Sequence, residues 1–420
     1  MPNMLSVDFI RENKEKVALA AKNKNRTVDI DAILTLDDSR KTCIQQIQKL
    51  REERNTLASA KGDEKAHERG REIKDDLKKL ESELSELEAK LNISLMELPN
   101  ISADDVPVGQ TEEQNEVVRK NGTVPSFDFE PKDHLTLGEA LDILDVKRAA
   151  KVSGARFTYL KNEAVMLEFA LIQLALTELT KEGFTPVIPP THIKKEITEK
   201  LGYWHAGGNE DYYWVKEPEE ESKGLYLIGT AEHSIVPLHQ DEILDVKELP
   251  KRYIAFSSCF RREAGTYGKD TRGILRLHQF DKLEMVSFTT PEKGDGEHEF
   301  LLSLEERLFQ LLEVPYQVVK MCTGDLGFPA ARKYDISAWI PSQKKYREVT
   351  STSTTTDFQS RRLNIKYRDG ESTQYVHILN GTAFAIGRTL IAIIENNQQK
   401  DGSIKIPDVL VKYTGFEFIK

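Results

Sequence analysis

The sequence predicts an α+β fold in which an antiparallel β-sheet flanked by helices follows an antiparallel α-helical coiled-coil hairpin. Three observations carry that reading. From Asp29 to about Leu98 no proline interrupts the chain, and apolar residues recur at alternating steps of three and four. A polar, turn-rich stretch follows Pro99 as far as about Pro131. Beyond it, helical stretches such as Asn162 to Lys181 are interspersed with short β-branched runs such as Leu225 to Ile228, Tyr253 to Phe256 and Tyr375 to Leu379. The expected division is an arm over residues 1–103, a connector over 104–131 and a large domain over 132–420.

The arm is clearest in its second half. There Ile73, Leu77, Leu80, Leu84, Leu87, Leu91 and, after a weak step at Ser94, Leu98 mark a narrow apolar seam. The first half repeats the rhythm through Leu36, Cys43, Ile47, Leu50 and Leu57, with Arg40 and Arg54 at seam positions. Between the halves, Gly62 in Ala60-Lys61-Gly62-Asp63-Glu64 supplies a break. Two helices of about 30 residues then fold back on each other over about 45 to 50 Å. A hairpin of that length cannot bury itself in a core, so a dimerising or spacer coiled coil and a reaching arm both fit the seam.

Charge bears on the choice. The chain carries a formal net charge of -10, whereas affinity for phosphates is delivered by Lys and Arg. Between Arg40 and Lys79, however, 12 basic residues stand against 8 acidic ones, so an acidic body with a locally basic projection can touch RNA at chosen places. Lys49, Arg51, Arg54, Lys61, Lys65, Arg69 and Arg71 are candidate phosphate contacts, although each of them taken alone reads more readily as a solvated surface charge. DNA and membrane are not expected partners. No apolar run approaches the roughly 18 residues of a spanning helix. The N-terminus has scattered charges in place of an apolar signal region, so a cytoplasmic protein is expected. Cys43, Cys259 and Cys322 lie far apart without a CxxC pair, which predicts buried reduced thiols and neither disulfides nor a zinc knuckle.

No GxxxxGK[ST] and no GxGxxG after a strand is present, so a nucleotide would have to be held by side chains. Phe260-Arg261-Arg262-Glu263-Ala264-Gly265 places two arginines and a glutamate before the glycine-containing stretch Thr266 to Gly273. Leu275 to Met285 then alternates like a strand and carries Phe280 and Glu284. A guanidinium fork suits phosphate, a carboxylate suits a base edge and an aromatic ring suits a base plane. A solvated charged hairpin has the same composition, and Glu284 alone reads equally as a structural carboxylate paired with Arg276 or Lys282.

This segment resembles motif 2 of the class II aminoacyl-tRNA synthetases, and over its full length, Phe260 to Met285, it resembles the seryl type. Glu182-Gly183-Phe184-Thr185-Pro186-Val187-Ile188-Pro189-Pro190 is similar to motif 1 of that family, and Asn380-Gly381-Thr382-Ala383-Phe384-Ala385-Ile386-Gly387-Arg388-Thr389 is similar to motif 3. The three stretches stand in the family's order behind a hairpin arm, and the resemblance runs from the arm to about Pro407. It implies a class II synthetase-like sheet and a homodimer built through motif 1. The implied reaction uses ATP and Mg2+: L-serine becomes seryl-adenylate with release of pyrophosphate, then passes to the 3′-terminal adenosine of tRNA(Ser).

The resemblance also implies roles. Arg261 would grip the α-phosphate, with Arg262 beside it at the ATP site. Glu263 would accept from the adenine amino group, Leu277 would meet adenine through its backbone, Phe280 would stack on one face of adenine, and Arg388 would cover the other face or reach the terminal phosphates. Tyr346 to Ser351 is similar to the family's ATP and metal segment, so Glu348, Val349, Thr350 and Ser351 would border ATP, with Glu348 and Ser351 as magnesium ligands. Arg261, Glu348 and Arg388 would be the catalytic groups. Thr230, Ala231 and Glu232 match the family's TAE element for the amino acid. Glu284 and Thr382 would bind the serine hydroxyl, and a pocket that leaves polar groups unpaired when alanine enters discriminates strongly. The arm would recognise the long variable arm of tRNA. No histidine is assigned a catalytic role.

Hydroxyls at Thr350 and Thr382 stand where the common bacterial pattern has serine, Thr352 and the Thr354-Thr355-Thr356 run also differ, and the lid region around Trp204 to Glu221 departs from that pattern. Two other readings stay open: a relative that loads a small amino acid onto a carrier protein, and an inactive paralogue serving as an RNA-binding module. The arm argues against the first, and the presence of Arg261, Glu263, Glu348 and Arg388 against the second.

Overall fold

A computed structural model describes residues 5–58, 64–203, 211–217, 220–264 and 272–420. The chain divides into two compact units, Met1–Pro99 and Asn100–Lys420.

In the first unit, helices α1 (Ile30–Ala58) and α2 (Glu64–Met96) pack side by side. Their pairing is antiparallel: Arg40 lies near Glu88, Arg51 meets Glu81 and Arg69 meets Glu53, so partner numbers fall on one helix as they rise on the other. Cys43, Ile47, Ile73 and Leu77 are buried on the seam, with Leu50, Leu57, Leu80, Leu84 and Leu87 partly buried beside them, as the heptad spacing predicts. Arg40 pairs with Asp37, while Arg54 turns outward and is exposed, as a long cation at an apolar seam does. The expected break at Gly62 lies outside the described residues.

The second unit is built on an eight-stranded sheet. Its strands are β1 (Glu116–Asn121), β2 (Thr185–Val187), β3 (Lys251–Phe260), β4 (Gln279–Thr289), β5 (Tyr316–Lys320), β6 (Arg332–Ile340), β7 (Lys345–Thr356) and β8 (His377–Ala385). Their order across the sheet is β1-β5-β6-β7-β8-β4-β3-β2, antiparallel except where β2 joins β3. Helices α3 (Glu163–Lys181), α4 (Gly294–Leu311) and α5 (Ile386–Asn396) share one apolar core with it. In α3 the buried Leu167, Ala170, Leu171, Leu174 and Ala175 recur at helical spacing. They meet Leu301 and Leu308 of α4, Ile391 of α5 and Leu283 and Met285 of β4 in the same cluster. A smaller sheet of His192–Lys194, Trp214–Glu217 and Glu220–Leu227 borders the large one.

Two expectations change. Within the connector stretch, β1 forms an edge strand paired to β5; all six of its residues are exposed, so it has no alternating apolar pattern to read. The strand expected from Leu275 begins only at Gln279, and residues 272–278 run as bends against other elements. Cys43, Cys259 and Cys322 are buried and unbridged. Among the described residues, no helix is long and apolar enough to cross a membrane.

Candidate active site

The antiparallel register of β3 and β4 fixes the site. Phe260 faces Gln279 and Cys259 faces Phe280, so the chain leaves β3 at Arg261 directly beside the strand that carries Phe280, Lys282 and Glu284. On its other side β4 pairs with β8, placing Glu284 opposite Thr382, and β7 brings Glu348 to Ser351 along the next edge. These strands floor a cavity of about 630 Å³.

Thirteen of the expected side chains line that cavity: Thr230, Glu232, Arg261, Glu263, Leu277, Phe280, Glu284, Glu348, Val349, Thr350, Ser351, Thr382 and Arg388. Ala231 and Arg262 do not. Each is the neighbour of a residue that does line the cavity. Ala231 is packed in the core, and Arg262 is exposed while its backbone N–H donates to the Asp211 carbonyl at 2.8 Å. Gly265 to Thr271 and Trp204 to Glu210, the loop and lid stretches, lie outside the described residues, as do residues 218 and 219.

At one end of the cavity the guanidinium groups gather. Arg261 Nε donates to the Gly229 carbonyl at 3.1 Å, which ties it to the segment bearing Thr230 and Glu232, and its Cζ stands 5.3 Å from the Phe280 ring centre. Arg276 Nη1 donates to Glu263 Oε2 at 2.5 Å and holds that carboxylate toward the cavity. Arg388 Nη1 lies 3.2 Å from Glu348 Oε1 and donates to the Glu348 carbonyl at 3.1 Å. Desolvation would raise the Glu348 carboxyl, but the Arg388 and Lys333 charges outweigh it and bring it down to about 2. It is therefore a carboxylate at any physiological pH.

The other end is a small polar pocket. Glu232 Oε1 accepts from the Tyr203 hydroxyl at 2.7 Å and from Gln359 Nε2 at 2.9 Å. Burial pushes the Glu232 carboxyl above its ordinary range, so it is a site that gains from an incoming positive charge. Thr382 Oγ1 donates to Glu284 Oε2 at 3.0 Å, and Lys282 Nζ stands 2.6 Å from the same oxygen. Thr350 Oγ1 donates to the Thr382 carbonyl, locking β7 to β8 beneath the pocket. Lys282, Lys333, Tyr203 and Asn380 also line the cavity without having been singled out from the sequence. Lys282 was within reach, since it stands two residues from both Phe280 and Glu284 on one strand face.

Among the described residues no group of three or more His, Cys, Asp or Glu side chains converges as a metal-ligand set. The donors near the guanidinium end, the Glu348 carboxylate and the Ser351 hydroxyl, are hard oxygens. One carboxylate plus a hydroxyl fits magnesium, which keeps waters and substrate phosphates as its remaining ligands.

On the arm, Lys49, Arg54, Lys65 and Arg71 are exposed. Arg51 is paired with Glu81 at 2.8 Å, and Arg69 bridges Glu53 at 2.7 Å and Glu72 at 3.0 Å. Lys61 lies outside the described residues.

Comparison with known proteins follows the same division. Residues 4–102 match the family described as the seryl-tRNA synthetase N-terminal domain, and residues 213–397 match the class II tRNA synthetase core domain (G, H, P, S and T). The chain is 43% identical to a serine–tRNA ligase of Treponema denticola, covering 99% of this chain and 100% of that one. It is 45% identical to a serine–tRNA ligase of Pyrococcus horikoshii, over 99% and 97%. Its structure superposes on the Pyrococcus horikoshii seryl-tRNA synthetase crystallised with ATP at a TM-score of 0.92, with 43% identity and 99% of each chain covered. The cytoplasmic serine–tRNA ligase of Naegleria fowleri in complex with AMP superposes at 0.89, with 31% identity over 100% of this chain and 99% of that one.

Proposed function

The chain belongs to the seryl-tRNA synthetase family, and from that premise we propose which of its residues carry out the charging of tRNA with serine. The reaction is ATP-dependent serine–tRNA ligation. The observation that carries the assignment of residues is the convergence of Arg261, Glu263, Glu348 and Arg388 on a cavity whose far end holds Glu232, Glu284 and Thr382.

In this reading ATP lies with its adenine against Phe280, its amino group toward Glu263 and its phosphates between Arg261 and Arg388. Serine enters the polar end, its ammonium toward Glu232 and its hydroxyl toward Glu284 and Thr382. A serine carboxylate oxygen then bonds to the α-phosphorus as the bond to the bridging oxygen breaks, and pyrophosphate leaves with the electron pair. No general base is needed, because the nucleophile is already ionised and catalysis consists of positioning and charge neutralisation. Arg261 supports the charge that builds on the α-phosphate. Magnesium, held through Glu348 and Ser351, supplies neutralisation of phosphate charge when bound. A hydroxyl of the tRNA's 3′-terminal adenosine next bonds to the seryl carbonyl carbon as the bond from that carbon to the phosphate oxygen breaks; AMP leaves with the electron pair, and the hydroxyl proton passes to its phosphate or to solvent.

The arm serves the second step, reaching the tRNA backbone through exposed cations such as Lys49, Arg54 and Arg71. Arg51 and Arg69, already paired with glutamates, are weaker candidates. A homodimer formed around the motif 1 region fits the exposed Met166, Phe169 and Ile188, which leave large apolar side chains facing outward on α3 and just after β2. Placement in the cytoplasm belongs to the same reading. Serine-dependent exchange between ATP and pyrophosphate, followed by charging of tRNA, tests the assignment. Arg261→Ala is expected to lower exchange by at least about 10²-fold, the scale for losing one donor to developing charge; undiminished exchange would refute its role.

A further inference from the structure

We infer that His134 and Glu395 act as a positioning clamp for the nucleotide end of the cleft, fixing the segment Gly273–Leu277 against helix α5. The proposal rests on the placement of ATP proposed above. Neither side chain lines the cavity, and no motif of the sequence includes them, yet both are buried, at 5% and 0% exposure.

The hydrogen bonds define one arrangement. Glu395 Oε1 accepts from the His134 backbone N–H at 3.0 Å and lies 2.9 Å from ring Nδ1, while Oε2 accepts from the Ser342 N–H at 3.1 Å. The other ring nitrogen, Nε2, accepts from the Ile274 N–H at 3.3 Å. Only a neutral imidazole with its proton on Nδ1 serves both partners. The approach is close enough to dictate sequence. A Cβ on Gly273, whose φ is +80°, would stand 2.1 Å from His134 Nε2, so a side chain is excluded there. On the opposite side a Cβ on Gly387 would come within 3.2 Å of the Ile274 carbonyl.

The segment so held is the one whose Ile274, Leu275, Arg276 and Leu277 line the cavity, and Arg276 is the partner of Glu263. Helix α5 carries Arg388 in its first turn and Glu395 near its end. One rigid helix therefore sets both the guanidinium that faces the phosphates and, through His134, the backbone that faces the base. The serine pocket, built from β4, β8 and the Thr230–Glu232 segment, is not touched by this clamp.

The test uses the full-length enzyme and two readouts: KM values for ATP and for serine in pyrophosphate exchange, and hydrogen–deuterium exchange of the Ile274 amide. His134→Ala is expected to raise KM for ATP about fivefold to tenfold, the usual loss for one buried hydrogen bond, with KM for serine within about twofold of wild type. The Ile274 amide should exchange faster in that variant. His134→Gln, whose side-chain oxygen reaches the position of Nε2, should bring KM for ATP back toward wild type. Equal rises in both KM values, or no change in KM for ATP, would overturn the clamp. So would an unprotected Ile274 amide in the wild-type protein without nucleotide, a result that does not depend on any variant folding. Failure of the wild type to exchange pyrophosphate would instead refute the placement of ATP and leave the amide measurement to judge the clamp separately.

Discussion

Glu232→Gln isolates charge from shape at the serine end of the cleft. The carboxylate is 3% exposed and its Oε1 already accepts from Tyr203 and Gln359, so a glutamine can keep those bonds through its own oxygen. What it cannot do is offer negative charge to an ammonium; its amide N–H groups face the incoming cation instead. A hydrogen bond to a charged group is worth about 1.5–3 kcal/mol, and about 1.36 kcal/mol corresponds to tenfold, which gives a loss of about 10- to 150-fold in kcat/KM for serine. The assay is pyrophosphate exchange at saturating ATP with serine varied, repeated with ATP varied at saturating serine. Only the serine titration should move. Because burial raises the Glu232 carboxyl above its ordinary range, the carboxylate is lost as pH falls through that raised value. Wild-type KM for serine should therefore climb on acidification from neutrality, before an unperturbed glutamate would titrate, and the variant should lack that rise. Unchanged serine kinetics, or equal losses for serine and ATP, would refute the assignment of Glu232 to the ammonium.

Three further outcomes follow from the same geometry. Deleting Thr42 to Lys90 should leave pyrophosphate exchange within about twofold and cripple tRNA charging; equal loss of both would contradict the arm's separate task. Thr382→Val removes the donor that Glu284 Oε2 holds at 3.0 Å, so exchange with serine should fall about tenfold while discrimination against alanine narrows, and unaltered discrimination would count against a hydroxyl-reading pocket. Glu305, buried beside Gly381 beneath that pocket, has its carboxyl pushed well above the ordinary range by burial and by the Glu284 and Asp335 charges. Folding must then hold a proton that the unfolded chain releases, so this group's stability contribution is complete below the unfolded pKa and is lost as pH rises toward the folded one. Glu305→Gln should accordingly gain in Tm relative to wild type as pH rises above the ordinary glutamate range, and a difference that stays flat with pH would contradict that ionisation.

How much of this was legible in the sequence depended on whether a side chain's task is periodic. The arm's seam was, since Ile73, Leu77, Leu80 and Leu84 must recur at steps of three and four to meet a partner helix. So was α3, whose apolar stripe begins with Ala164, two residues after Asn162. The cleft was legible because class II motifs concentrate charge in short segments, although a place beside a cavity residue was not enough: Arg262 is exposed and Ala231 is packed in the core. Edge strand β1 was hidden by its exposure on both faces, and the alternation of Leu275 to His278 imitated a strand although Leu275, Arg276 and Leu277 all line the cavity and the segment runs as bends. His134 and Glu395 left no signal at all, being 261 residues apart and joined only through the fold.

The most direct measurement is a determined structure with a non-hydrolysable seryl-adenylate analogue. The account predicts one ligand spanning the cleft, with the phosphate mimic against Arg261, adenine on Phe280 with its amino group at Glu263, and the seryl ammonium within hydrogen-bond distance of Glu232. An analogue bound away from these side chains, or one turned so that its seryl end meets Phe280 and Glu263, would contradict it.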